Sequence, residues 1–444
     1  MANIYDYLKN ASHELRQENS RHPSLIFVVI ALLSIPMSYA VNSIAVAALT
    51  LISIINFRKE NFQRDFQLFL PIALYGLMLV SLLWSVDISS SAKALSKELP
   101  LLLIPLFFLL IRPFSDRQKQ LIIKYYSYGI LLYGIFYLVK AAIRFIATGD
   151  SSVFFYHELV TKDVNAIHVS VYVAVAFFYF LTRTGKKAFH YFALLLLFGL
   201  VFLLSSKNII VVFAGLLIIH QVFFTKTARR MRLRNLAVLI IALFSLTFVG
   251  KIKDRFKQEY ETMMTDSSVN DVIGKGSGTV YNVSIKQAWT QERFSPNDYF
   301  PGTAFRVYQF RIFTEMLAED NIFFSGYGIN ASYPKIEEKT ISYNLFLGNG
   351  ENEGYQTKNF HNQYIQIFAE LGIFGFLLLL LMLLLNVKIA IKTKDFVHIS
   401  FAVLMISLFL TESFLWRQRG VVFFTLMYCL FNSGVMRAPN QQKI

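Results

Sequence analysis

The 444-residue sequence holds one cysteine, Cys429, so no disulfide can close within the chain and its redox compartment stays open. No cysteines and histidines cluster closely enough to suggest zinc, and no metal site is expected. Between residues 251 and 360 there is no internal repeat, heptad run or low-complexity tract, which sets aside solenoid and coiled-coil architectures for that stretch. No small-residue cleavage site closes the apolar run after Ser24, and the first apolar segment is read as an uncleaved anchor. Acidic residues are few, 28 against 43 Lys and Arg, for a net charge of +15. Such an excess would suit nucleic acid, but the basic residues fall in short clusters between apolar blocks. They look like cytoplasmic loops, and no nucleic-acid partner is expected.

What the chain has is hydrophobicity, 55% of residues, gathered in long blocks as in integral membrane proteins. Its 44 Phe and 23 Tyr suit lipid-facing helices with interfacial rings. Apolar runs of roughly 17 to 25 residues are span candidates. Twelve are expected, near 24–40, 41–57, 66–84, 98–111, 121–146, 165–182, 189–204, 208–224, 235–250, 362–387, 396–412 and 421–435. Basic clusters at Arg58–Arg64, Arg112–Lys119, Arg183–Lys187, Lys226–Arg234 and Lys388–Lys394 occupy alternate loops, the arrangement the positive-inside rule assigns to the cytoplasm. The expected organisation is a cytoplasmic segment 1–23, spans one to nine over 24–250, a large loop on the far side at 251–360, spans ten to twelve over 361–436, and a cytoplasmic tail 437–444. Within the loop, Thr303 to Leu317 carries Phe305, Tyr308, Ile312 and Met316 on one helical stripe, with Arg311 beside it.

The candidate chemistry lies where that loop meets the tenth span. His361 can exchange a proton near neutral pH at a membrane surface. With a helix beginning at Asn362, the side chains of Gln363, Gln366 and Glu370 form a polar stripe, which either lines a cavity or joins helices. Ala369, Gly372 and Gly375 form a small-residue track expected to admit a neighbouring helix. On the side where cations are disfavoured stand Lys207, Arg306, Arg311, Arg417 and Arg419. A diphosphate is a natural ligand for them; pairing with Glu315, Glu319, Asp320 or anionic lipid is the rival explanation. Gly274–Gly278 lacks the context of a phosphate loop and reads as a flexible turn, while Glu351 and Glu353 could bind a divalent ion but read more simply as a solvated loop.

His361-Asn362-Gln363-Tyr364 through Glu370-Leu371-Gly372-Ile373-Phe374-Gly375, preceded by Arg311 and by Ser325-Gly326-Tyr327-Gly328, resembles the bacterial O-antigen ligases and related O-antigen polymerases. Protein O-oligosaccharyltransferases share the module. Ser205-Ser206-Lys207 stands where that family often has Ser-Arg, and a lysine there loses the bidentate contact. The motifs cover roughly residues 200 to 380. The resemblance implies an all-α membrane protein of GT-C type and an inverting glycosyltransferase in the bacterial inner membrane, its site facing the periplasm. The donor would be an undecaprenyl-diphosphate-linked glycan. A ligase would use the lipid A core as acceptor, a polymerase a second carrier-linked glycan. It implies that His361 orients or deprotonates the acceptor hydroxyl, with the outer cations meeting charge on the leaving diphosphate. No cofactor is implied. A transporter would be expected to show paired, broken helices in two halves, and these are not evident.

Overall fold

The computed structural model describes residues 4–204, 206–225, 228, 230–235, 237, 260–261, 265–270, 279–350 and 352–434, with side chains from His13 onward. The expected span at 235–250 (apart from residues 235 and 237), the turn at 274–278, Ser205, Glu351 and the tail 437–444 lie outside these residues.

Among the described residues four helices are long and apolar enough to cross a membrane: Phe66–Leu83, Asp116–Thr148, Lys207–Phe224 and Gln363–Thr393. Shorter apolar helices pack with them: Leu25–Ser34, Tyr39–Ile55, Ala166–Thr182, Ala188–Leu203 and Phe396–Phe409. The expected span at 98–111 is an 11-residue helix, Pro100–Leu110, and the last is Gln418–Asn432. Local signals set these boundaries. The Asp116–Thr148 helix starts on a reciprocal capping pair, the Gln118 amide donating to Ser115 Oγ at 3.3 Å and the Ser115 amide to Gln118 Oε1 at 3.1 Å. It stops at Gly149, whose φ of +68° takes the left-handed conformation that glycine adopts without penalty.

The stretch before His361 builds its own small core. Phe294, Phe300, Tyr308, Ile312, Met316, Ile336 and Phe360 pack together, most of them at or near zero exposure. The amphipathic helix expected at 303–317 runs from Gly302 to Glu319 and buries Tyr308, Ile312 and Met316, with Phe305 packed at its margin. Three two-residue strands add a small sheet to an otherwise helical chain: Ser268–Val269 lies antiparallel to Tyr281–Asn282, which lies parallel to Asp298–Tyr299.

The small-residue track behaves differently from expectation. Gly372 has φ +63° and interrupts the Gln363–Thr393 helix. Its partner is a loop built of turns, because a Cβ at Gly372 would lie 2.3 Å from the Phe324 carbonyl oxygen. Amides of Tyr327 and Gly328 donate to the carbonyls of Ala369 and Glu370, both at 2.9 Å, and that of Ile373 to Phe323 at 2.8 Å. The break frees main-chain groups that the 323–328 loop satisfies, so Gly372 serves a backbone-to-backbone junction rather than helix packing.

Candidate active site

Phe360 is fully buried and its amide donates to Gln366 Oε1 at 3.2 Å. Asn362 caps the following helix, accepting from the amides of Tyr364 and Ile365 at 3.0 and 3.1 Å. His361, between these two anchors, takes φ +47°, a conformation that costs a non-glycine residue about 1–2 kcal/mol. Its amide donates to Asn359 Oδ1 at 2.9 Å, and its ring meets Phe305 edge to face at 5.5 Å. The strained turn presents the imidazole to a cavity of about 500 Å³, also lined by Glu412, Arg417, Tyr39, Lys162, Asp163 and Asn165. His361 Nδ1 lies 3.6 Å from Glu412 Oε2.

Beside His361 runs the link 410–417, and most of the sequence-predicted polar residues hold it in place. Asn362 Nδ2 donates to the Leu410 carbonyl at 3.3 Å, and the Leu415 amide to Gln363 Oε1 at 2.8 Å. Gln366 accepts from Ser413 at 3.4 Å and donates to Glu370, which also accepts from Ser332 at 3.5 Å. All three stripe residues are buried, so the stripe fixes the floor and the link rather than lining the cavity.

The five cations separate. Arg417 is exposed at the cavity. Arg306 donates from Nε and Nη2 to the Thr411 carbonyl at 2.9 and 2.6 Å and from Nη1 to Gly302 at 2.8 Å, and its Nη2 is 3.4 Å from Glu412 Oε1. Arg311, expected beside the apolar stripe, turns to Glu315 at 3.1 Å and the Gln291 carbonyl at 2.7 Å, its guanidinium 4.6 Å from the Tyr343 ring centre. The rival pairing with Glu315 is thus the one formed. Arg419 is 4% exposed; it donates to the carbonyls of Met37 and Asp163 and stacks on Tyr39 at 4.1 Å. Lys207 opens its helix half-buried, and the adjacent Asn208 side chain donates to Ser407 and Thr411, both at 2.8 Å, tying that helix start to the link.

Glu412, Lys162 and Asp163 were not singled out in the sequence. Glu412 closes an apolar run and was absorbed as its boundary; its spacing from Arg417 and Arg419 across a short link was the available signal. Among the described residues no group of three His, Cys, Asp or Glu could hold a metal ion. The Glu353 carboxylate is engaged by Lys358 at 2.5 Å.

Residues 192–380, just under half the chain, match the family model described as O-antigen ligase. No curated protein matches the chain. The matched span contains the Lys207 helix start, the Gly302–Glu319 helix, the glycine junction and His361. With its long apolar helices, the chain is a multi-pass membrane protein, and over residues 192–380 it is similar to the O-antigen ligase family.

Proposed function

We propose that the chain is an O-antigen ligase, an inverting glycosyltransferase that moves a polysaccharide from undecaprenyl diphosphate to the lipid A core at the periplasmic face of the bacterial inner membrane. The observation that carries this reading is an imidazole, His361, and a cation, Arg417, on one cavity, with His361 eleven residues before the helix break at Gly372. The acceptor hydroxyl gives its proton to the free imidazole nitrogen as its oxygen attacks the anomeric carbon of the donor sugar. The bond from that carbon to the phosphate oxygen breaks, and its electron pair leaves on the diphosphate. Arg417, with Lys162 on the same cavity and Lys207 at the neighbouring helix start, meets that charge. Arg306 keeps the link in place, Arg311 the 283–369 core, and Arg419 the segments of Met37 and Asp163, because their donors are engaged by protein groups.

A diphosphate leaves readily, so the chemistry asks for neither a covalent enzyme intermediate nor a metal. A polymerase, or a protein O-oligosaccharyltransferase, would use the same donor and residues on another acceptor. The test is purified protein with carrier-linked glycan and lipid A core: product should form, and His361→Ala should lose it by about 100- to 10,000-fold while inserting normally. Wild-type transfer by that variant overturns the reading. In cells, a ligase deletion should leave long polysaccharide stranded on the carrier. Core bearing one repeat would instead assign the polymerase, and unchanged glycans would exclude both.

A further inference from the structure

Glu412 is 12% exposed, and removing a carboxylate from water this far is unfavourable unless each oxygen finds a partner. Its two oxygens face two different groups: Oε1 lies 3.4 Å from Arg306 Nη2, and Oε2 lies 3.6 Å from His361 Nδ1. Arg306 is itself fixed by two bonds to the carbonyl of Thr411, the residue before Glu412, and by one to Gly302. The carboxylate therefore has little freedom, and what it is aimed at is the imidazole. His361 is held just as firmly, by the Asn359 bond, the buried Phe360 and the Phe305 ring.

We propose that Glu412 is the positioning residue for His361, and that Arg306 acts on the reaction only by holding Glu412. This rests on the proposed role of His361 as proton acceptor. An imidazole carries one ring proton when neutral, and a carboxylate beside Nδ1 keeps that proton on Nδ1. Nε2 is then the unprotonated nitrogen and takes the acceptor's proton. As the glycosidic bond forms and the bond to the diphosphate breaks, the imidazole becomes a cation, which the neighbouring carboxylate stabilises without itself accepting the proton. The separation of 3.6 Å exceeds a hydrogen bond by a few tenths of an ångström, a gap of the kind that closes when substrate fills a site.

The experiment is a mutant cycle on the purified full-length protein with carrier-linked glycan donor and lipid A core acceptor. Glu412→Gln should lower kcat by about 10- to 100-fold with KM for the donor nearly unchanged. Glu412→Asp, which keeps the charge on a shorter arm, should recover part of the loss. In a His361→Ala background, Glu412→Gln should cost almost nothing further, because the residue it acts through is gone. Thermal unfolding of each variant separates loss of fold from loss of function. A raised KM with unchanged kcat would put Glu412 on substrate rather than on His361 and overturn the proposal. Equal costs for Glu412→Gln with and without His361 would overturn it too. If His361→Ala remains fully active, the parent reading fails instead; if it is inactive while Glu412→Gln is not, only the role of Glu412 fails.

Discussion

The Gly326 backbone lies so close to Glu370 that a Cβ on it would sit 2.2 Å from the Glu370 carbonyl carbon. With Gly372 against Phe324, two glycines of positive φ let the loop run directly along the helix break ten residues beyond Asn362, the cap of the active-site helix, while Gly328, also of positive φ, lies against Ser85. The turn carrying His361 is thereby set on a backbone-to-backbone foundation that side-chain packing alone would not fix.

Gly326→Ala should therefore destabilise the protein by about 2–5 kcal/mol, combining left-handed strain with a clash against main chain that cannot move aside. Gly350→Ala is the internal control. Gly350 has φ +86° but nothing within 4 Å of its added Cβ, so only the backbone strain of about 1–2 kcal/mol should appear. Thermal unfolding in detergent compares the two; equal losses would mean that the close approach adds nothing.

Sequence and structure agree most where the signal is local. Asn362 is a side-chain cap written into the chain, and the 3.6-residue stripe of Tyr308, Ile312 and Met316 names its own buried face. The Gly-x-Gly pair and Gly372 were visible as motifs, but their partner was not, since a φ of +63° inside an apolar run leaves no trace in hydropathy. The different settings of Arg306 and Arg311 were not legible for a related reason. Both stand on one helix, and which of them reaches the cavity side depends on Glu412 and Thr411, more than 100 residues away.

Arg419→Lys should lower stability by roughly 2 kcal/mol and act much like Arg419→Ala. The guanidinium spans the carbonyls of Met37 and Asp163 and stacks on Tyr39, a geometry an ammonium cannot reproduce. Full stability in the lysine variant would show that charge alone suffices.

The cluster under the Gly302–Glu319 helix predicts a pH dependence. Burial raises the Glu315 carboxyl, but hydrogen bonds from Tyr343 and Lys339 and the charges of Lys339 and Arg311 outweigh it and hold the group below its usual 4.5. Its stabilisation is thus present above pH 4.5 and is lost as pH falls below that value. Lys339 is shifted the other way: burial lowers it, yet Glu319 and Glu315 leave it above 10.5, so its contribution is present below pH 10.5 and fades above. Hydrogen exchange of the 302–343 amides should show protection falling on the acid side, and Glu315→Gln should flatten that limb. An unchanged acid limb would assign it to other groups.

Topology decides whether the cavity can meet its substrates. With Cys429 replaced, a cysteine at the exposed Glu337 should react with a membrane-impermeant thiol reagent in intact spheroplasts, and one at Arg230 should not. The opposite labelling would turn the site toward the cytoplasm and remove the proposed acceptor.

Arg417 separates donor binding from architecture. It is the member of the five-cation set whose side chain is exposed at the same cavity as His361, and one charge-assisted hydrogen bond to phosphate oxygen is worth roughly 10- to 100-fold in binding. Arg417→Ala should raise KM for the diphosphate-linked donor by about that factor, and Arg417→Lys should recover part of it, since the point charge survives while the fork geometry is lost. Stability should hardly change, in contrast to Arg419. Transfer by the wild-type protein should persist in EDTA, because cations at the cavity can supply the charge stabilisation that a metal gives elsewhere. Strict dependence on added Mg²⁺ or Mn²⁺ would contradict this assignment, and an unaltered donor KM in Arg417→Ala would move the diphosphate away from this wall of the cavity.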